Sequence, residues 1–154
     1  AQRLLRLEKG HIIVSQDTDG MTHPCEVGLD WAMNRTKPDF VGRRSVDILA
    51  KAPLTRQLVG FSLAITAPKP LEGHLVIRDG NIVGNVTSCE VSPTLGRIIG
   101  LAYAHPDDAM PGGSIWVRTE GNGWRILVFE HLGHGVRRDV EPNPASIRHK
   151  SDRW

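Results

Sequence analysis

Between residues 54 and 132, short apolar segments alternate with turns that are rich in glycine and proline. Residues 58–66 alternate with a period of two, which is the spacing of a half-buried strand. Asp79-Gly80 lies between two apolar segments and is a strong signal for a β-hairpin. Further strands are predicted over residues 86–91, 98–103, 115–118 and 124–130. No predicted helix interrupts the series, so the pattern indicates a small antiparallel barrel or sandwich of about six strands.

The preceding residues 1–52 have a mixed pattern. Residues 4–14 can begin as a strand or a short helix and leave as a strand, and residues 28–33 form a short apolar run that predicts a strand. Residues 43–51 predict an amphipathic helix that Pro53 ends, with Val46, Leu49 and Ala50 on one face.

We therefore predict the α+β class in three segments: a mixed α/β piece (1–52), an antiparallel β-barrel (53–132) and a loosely ordered polar tail (133–154). Gly84, inside the strand series, indicates a bulge or a close approach between two backbones.

Composition and charge narrow the class of protein. Hydrophobic residues make up 40% and charged residues 23%, as in globular proteins in solution. The net charge of +2 and the scattered arginines argue against a nucleic-acid partner. Two distant cysteines predict a reduced, cytoplasmic protein, and no apolar run approaches the roughly 20 residues that a membrane span needs.

No metal site or common catalytic motif is predicted. His131 and His134 are three residues apart but lack a third ligand, and most zinc sites use three or four. Phosphate-binding loops and the nucleophile elbow are absent from the sequence, so no catalytic residue is assigned. Two pairs of acidic residues are interpreted as solvated turn residues or caps: Asp17 with Asp19, and Asp107 with Asp108.

Glu8 allows two interpretations. It is either an exposed edge residue or a carboxylate on a half-buried strand that accepts two parallel N–H bonds from an amino-pyrimidine edge. Gly10 would let the backbone pass close to such a ligand. Arg35 and Lys37 are either surface charges or contacts for an anionic ligand tail.

Four phrases along the chain resemble those of a known family. They are L-R-L-E-x-G at residues 5–10, T-x-P-x-E-x-G-L-x-W at 22–31, D-F-x-G at 39–42, and G-x-V-T-S-x-x-x-S-P-T-L-G at 84–96. Together they resemble the folate-binding aminomethyltransferase family, which includes the glycine cleavage T-protein. Residues 6–20 are most similar to the C-terminal region of the sarcosine oxidase α subunit.

The resemblance implies that tetrahydrofolate binds with its pterin inward and captures a one-carbon unit as 5,10-methylenetetrahydrofolate. Glu8 would hold the pyrimidine edge of the pterin, and the family's basic residue would be Arg35 or Lys37. Folate is then the small-molecule partner, and other sarcosine oxidase subunits are candidate protein partners. Flavin and NAD would belong only to regions outside this chain or to partner subunits.

The chain opens directly on an apolar run, and the first half of the family pattern is absent from it. We therefore expect the C-terminal portion of a larger protein, which is not active alone. One alternative is a non-catalytic folate-binding or interaction module of the same fold. Another is a stand-alone all-β binding domain in which residues 54–132 fold without residues 1–52.

Overall fold

The computed structural model describes residues 1–119 and 123–131. Helices α1 (Gln2–Glu8) and α2 (Arg43–Leu49) come first, and single 3₁₀ turns lie between them at Pro24–Val27 and Asp30–Ala32. Six strands follow: β1 (Gln57–Ala64), β2 (Leu75–Arg78), β3 (Asn81–Ser92), β4 (Arg97–Ala104), β5 (Ser114–Arg118) and β6 (Gly123–His131). A third 3₁₀ turn, Pro106–Asp108, separates β4 from β5.

The six strands close into a barrel. Their order is β1-β4-β3-β2-β5-β6, β6 returns to β1, and each pair is antiparallel. The hairpin between β2 and β3 turns at Asp79 and Gly80, whose φ angles of 49° and 79° are positive, as a type I′ turn requires. The predicted α+β class, with an antiparallel barrel of about six strands, is confirmed.

Strand β4 is buried on both faces. Ile98 and Ala102 belong to the cluster inside the barrel, which also includes side chains of β1, β2, β3 and β5. Their neighbours along the strand, Ile99, Leu101 and Tyr103, belong to a second cluster on the outer side. A strand covered on both faces reads as a continuous apolar run, which is what residues 98–104 show.

The N-terminal segment covers this outer face of the barrel. Leu7 of α1 and Val27 of the first 3₁₀ turn pack in the outer cluster with Leu58 of β1. Each of these three side chains is at most 3% exposed. This outer cluster, which we call the apolar seam, therefore joins residues 1–52 to the barrel.

In the N-terminal segment, the strand predicted over residues 28–33 and the strand predicted at the end of residues 4–14 are wrong, whereas the short helix allowed at the start of residues 4–14 is present. Residues 28–33 contain the 3₁₀ turn Asp30–Ala32, and residues 4–14 begin as helix α1 and end with one isolated bridge, Val14 to Thr18. The turn Pro24–Val27 starts with a proline and is capped by His23 and Glu26, which stabilise a helical turn at this point. A short, mainly apolar run such as residues 28–33 does not by itself distinguish a strand from a turn of helix.

The helix predicted over residues 43–51 is confirmed as α2, but its apolar face is largely open. None of its residues is buried, and Leu49 is 47% exposed. The expected close approach at Gly84 is also confirmed, because a Cβ atom placed there would lie 2.1 Å from the carbonyl oxygen of Tyr103.

Neither helix in the described part of the chain has the length and apolar character needed to cross a bilayer. The polar tail predicted for residues 133–154 and the histidine at position 134 lie outside the described residues.

Candidate functional site

Glu8 is the last residue of α1, where the helix meets the barrel. Its Oε1 accepts a hydrogen bond of 2.6 Å from the Oγ of Ser92, the last residue of β3. Ser92 is fully buried, and its Oγ also accepts a bond from the backbone N–H of Leu95 at 3.1 Å. Within the described residues, the other Glu8 oxygen, Oε2, takes part in no hydrogen bond or ion pair, so one carboxylate oxygen is held and the other is open.

We expected Glu8 on a half-buried strand. The strand is wrong, because Glu8 lies in a helix, whereas the expected partial burial is correct. Residues 2–8 are mostly good helix formers, and Leu4 and Leu7 are three residues apart, so both meet the barrel from one helix face. Glu8 itself is half-buried.

A buried ion pair lies beside this carboxylate. Nη1 of Arg6 donates to Oδ2 of Asp17, and the side chains are 9% and 0% exposed. The backbone N–H of Ile13 donates to the same Oδ2 at 2.8 Å. Thr87 and Ser88 each donate their hydroxyl to Oδ1 at 2.6 Å. Asp17 therefore receives four hydrogen bonds and connects α1, the following loop and β3.

A bulge in β3 explains how two consecutive residues reach one carboxylate. The pairing of β3 with β4 shifts between Val86 and Ser88, leaving Thr87 as the additional residue. In a regular strand neighbouring side chains point to opposite faces, whereas a bulge redirects one of them. Nη2 of Arg6 also donates to Ser88 Oγ at 2.6 Å, so that this hydroxyl accepts one bond and donates another.

Asp17 is the buried residue beside Glu8 that the sequence pattern does not reveal. The turn composition predicts that Asp17 and Asp19 are solvated turn residues, yet Asp17 is 1% exposed. Only Asp19 fits the interpretation, because it is exposed and accepts turn bonds from Met21 and Thr22. The available signal in the sequence is the pair of adjacent hydroxyl residues Thr87-Ser88, which lies between Val86 and Cys89 in β3.

Arg56 forms a second charged contact between the N-terminal segment and the barrel. Its guanidinium lies 3.2 Å from Oε2 of Glu26, 3.6 Å from Oδ1 of Asp19 and 4.5 Å from the ring centre of Tyr103. Burial acts against the charge of Arg56, but the bond to Glu26 and the nearby negative groups raise its pKa above the ordinary value. Burial raises the pKa of Tyr103, whose hydroxyl donates to the backbone carbonyl of Asp17 at 2.8 Å.

Arg35 and Lys37 lie in the exposed loop between the second 3₁₀ turn and α2. The Lys37 carbonyl accepts a bond from Arg43, while neither charged side chain contacts Glu8 or another described residue through a hydrogen bond or ion pair. The structure therefore does not join the three predicted folate-binding residues through direct contacts.

The described residues contain no group of three or more His, Cys, Asp or Glu side chains that could hold a metal ion. Cys89 is buried, and burial raises the pKa of its thiol to about 12. The thiolate is the reactive form of cysteine, so Cys89 serves as a small apolar core residue near neutral pH.

Comparison with known proteins agrees with this architecture. The family model described as "Glycine cleavage T-protein C-terminal barrel domain" matches residues 56–130. An aminomethyltransferase of Halothermothrix orenii is 40% identical over 117 residues, covering 76% of this chain and 32% of that protein. An aminomethyltransferase of Rubrobacter xylanophilus is 35% identical over 153 residues, covering 99% of this chain and 37% of that protein.

Among solved structures, the glycine cleavage system aminomethyltransferase T of Bartonella henselae superposes with a TM-score of 0.74 at 23% identity. The match covers 87% of this chain and 39% of that one, and at this identity it shows the fold.

The barrel and its N-terminal cover therefore define a T-protein-type C-terminal domain. Residues 56–130 match the C-terminal barrel domain of the glycine cleavage T-protein. The chain spans about a third of the length of the curated aminomethyltransferases it matches.

Proposed function

We propose that this chain supplies the C-terminal part of a folate-dependent aminomethyltransferase and contributes one wall of the tetrahydrofolate site at Glu8. The family match and the relatives named aminomethyltransferase support the reaction class. The observation that carries the location is the Glu8 carboxylate at the junction of α1 and β3, with one oxygen held by Ser92 and the other open.

The chemistry of this carboxylate suits a pterin. The pyrimidine edge of a pterin presents two parallel N–H donors, and a carboxylate accepts such a pair much as it accepts an arginine fork. A carboxylate has about four lone-pair sites, so the bond from Ser92 leaves capacity for both donors. Arg35 or Lys37 would attract the anionic tail of the folate from the exposed loop.

The contribution to the reaction is positional. Holding the folate nitrogens beside an incoming one-carbon unit favours its capture as 5,10-methylenetetrahydrofolate, because bound and oriented groups react more readily than free ones. The residues that complete the site and assist the transfer would belong to the part of the relatives that this chain does not span.

A narrower form of the proposal assigns the chain to the sarcosine oxidase α-subunit type, with the similarity of residues 6–20 as its support. The one-carbon unit would then come from the oxidation of a methylamine, and flavin and NAD would be bound outside this chain. Sequencing the whole gene separates the two forms, because the oxidase form requires flavin- and dinucleotide-binding regions in the same gene or in those of its subunits. We also propose that the α/β piece ends at residue 52, that the barrel domain begins at residue 53, and that the protein is cytoplasmic.

Calorimetric titration of the 154-residue chain with tetrahydrofolate tests the proposal. We expect saturable binding that Glu8→Ala weakens by about 1.5–3 kcal/mol, the cost of losing hydrogen bonds to a charged group. Glu90→Ala is the matched control, because Glu90 is also half-buried and also holds one partner, Lys69, at 2.9 Å. Arg35→Gln and Lys37→Gln, titrated in the same way, show which residue contacts the tail.

Equal binding by wild type and Glu8→Ala would show that the pterin contact is not here. Absence of binding to the folded chain would show that the site needs the part of the relatives that this chain does not span. The 154-residue chain could bind folate tightly while the whole gene product transfers no one-carbon unit. That result would favour the alternative of a non-catalytic folate-binding or interaction module.

A further inference from the structure

We infer that Ser92 is a positioning residue for the Glu8 carboxylate; the inference rests on the proposed function, in which Glu8 contacts the pterin. Ser92 has no exposed surface, and its hydroxyl donates to Glu8 Oε1 at 2.6 Å. The same Oγ accepts the backbone N–H of Leu95 at 3.1 Å. This second bond occupies an acceptor position of the hydroxyl and favours the orientation in which its single proton faces Glu8.

The surrounding structure fixes where this hydroxyl stands. In the pairing with β4, Ser88 lies opposite Leu101 and Ser92 opposite Arg97, and residues two apart on a regular strand share a face. Both serines therefore stand on the outer side of the barrel, beneath α1. Ser88 binds Arg6 and Ser92 binds Glu8, so the last turn of α1 is held at two points on one rigid strand.

Holding a flexible glutamate before the ligand arrives has a direct effect on binding. A free glutamate side chain loses rotational freedom when a ligand fixes it, and the loss subtracts from affinity. The Ser92 bond restricts that freedom in advance while leaving Oε2 open within the described residues. A site on rigid elements with a supporting hydrogen bond retains its geometry better than one on a loop.

Ser92 could instead serve only the turn that follows β3, through its bond to Leu95. The two roles differ in one measurable respect. A turn-forming role does not depend on residue 8, whereas a positioning role disappears when the carboxylate is absent. A double-mutant cycle between positions 8 and 92 measures this dependence.

The experiment titrates tetrahydrofolate into the 154-residue wild type, Ser92→Ala, Glu8→Ala and the double variant. We expect Ser92→Ala to weaken binding about 3- to 10-fold, the cost of fixing one mobile side chain. In the Glu8→Ala background the same change should alter affinity less than about 2-fold. Ser92→Thr, which keeps the hydroxyl, should bind more tightly than Ser92→Ala.

Thr94→Ala is the control within the same loop, because Thr94 is exposed. Circular dichroism and thermal melts establish that each variant is folded. Should Ser92→Ala fail to fold, Ser92→Cys replaces it, since the thiol has nearly the same size but is a much weaker hydrogen-bond donor.

The outcomes separate this inference from the function on which it rests. Loss of affinity in Glu8→Ala with none in Ser92→Ala, or equal effects of the serine change in both backgrounds, would overturn the role of Ser92 and leave the folate site in place. Binding that is unaffected by Glu8→Ala would overturn both.

Discussion

At the residue scale, Asp17 shows how a buried carboxylate is satisfied by hydrogen bonds from several elements. It receives bonds from Arg6, from the backbone of Ile13 and from two hydroxyls of β3. A buried charge is tolerated when it is paired and its lone pairs are satisfied. Removing one member of such a set leaves the other charge buried and unpaired.

We therefore expect Asp17→Asn to lower the free energy of unfolding by about 3–5 kcal/mol, because Arg6 would remain charged in a buried position. Urea unfolding followed by circular dichroism measures the change. Asp47→Asn is the matched control, since the Arg43–Asp47 pair is 3.5 Å long and its aspartate side chain is 59% exposed. Exposed pairs contribute at most about 1 kcal/mol. Similar small losses in both variants would contradict the structural role assigned to Asp17.

Local sequence patterns were informative for Glu8 but misleading for Asp17. The resemblance of residues 5–10 to a family phrase drew attention to Glu8, but nothing local indicated that its partner would be Ser92, 84 positions later. For Asp17, the turn composition predicts an aspartate at the surface, because such turns favour solvated aspartates. Its burial depends on a β-bulge and on Arg6. Hydrophobic periodicity in the sequence, with a period of two for strands or 3.6 for helices, does not reveal such tertiary contacts.

At the element scale, the barrel strands were predictable and the N-terminal turns were not. Strand β1 carries a period of two, β4 is a continuous apolar run, and turns rich in Gly and Pro separate the strands, so the local preferences agree with the final structure. Residues 28–33 are too short a run for periodicity to choose between strand and turn, and the turn Asp30–Ala32 that forms there has no side-chain cap that would mark it in the sequence. The helix α2 was found from its apolar spacing, although no described residue covers that face fully.

The contact between β3 and β4 depends on a missing side chain at Gly84. A Cβ atom there would lie 2.1 Å from the carbonyl oxygen of Tyr103 and 2.9 Å from the Tyr103 Cβ, so the strands would have to separate. We expect Gly84→Ala to destabilise the chain by about 1–3 kcal/mol through overpacking. Chemical denaturation measures the loss. Gly20→Ala is the control, because no atom lies within 4 Å of a Cβ at that position.

A Gly84→Ala variant as stable as wild type would show that the two strands can move apart at little cost. The structure argues against this, since Tyr103 is also held by its hydroxyl bond to the Asp17 carbonyl. Tyr103 is therefore constrained through its backbone, by the close approach of Gly84, and through its hydroxyl, by the bond to Asp17.

At the scale of the whole molecule, the barrel and the N-terminal segment share an apolar seam. Leu58, Ile99, Leu101 and Tyr103 are 0–4% exposed, and Leu7 and Val27 complete their cluster. Burying a large apolar side chain contributes about 1.5–3 kcal/mol, so uncovering this row would cost several such contributions. The Asp17 network and the Arg56 contacts join the same two parts with polar bonds.

We therefore expect a fragment of residues 53–154 to be much less stable than the full chain and to self-associate, because its outer apolar row would face water. Urea unfolding and light scattering after size-exclusion chromatography measure the two effects. Full-length Leu7→Ala separates the contribution of the seam from that of chain length, and its expected cost is about 2–5 kcal/mol. Leu5→Ala is its control, since Leu5 is 58% exposed. A monomeric fragment with the urea midpoint of the full chain would instead establish the barrel as an autonomous domain, with residues 1–52 as an addition to it.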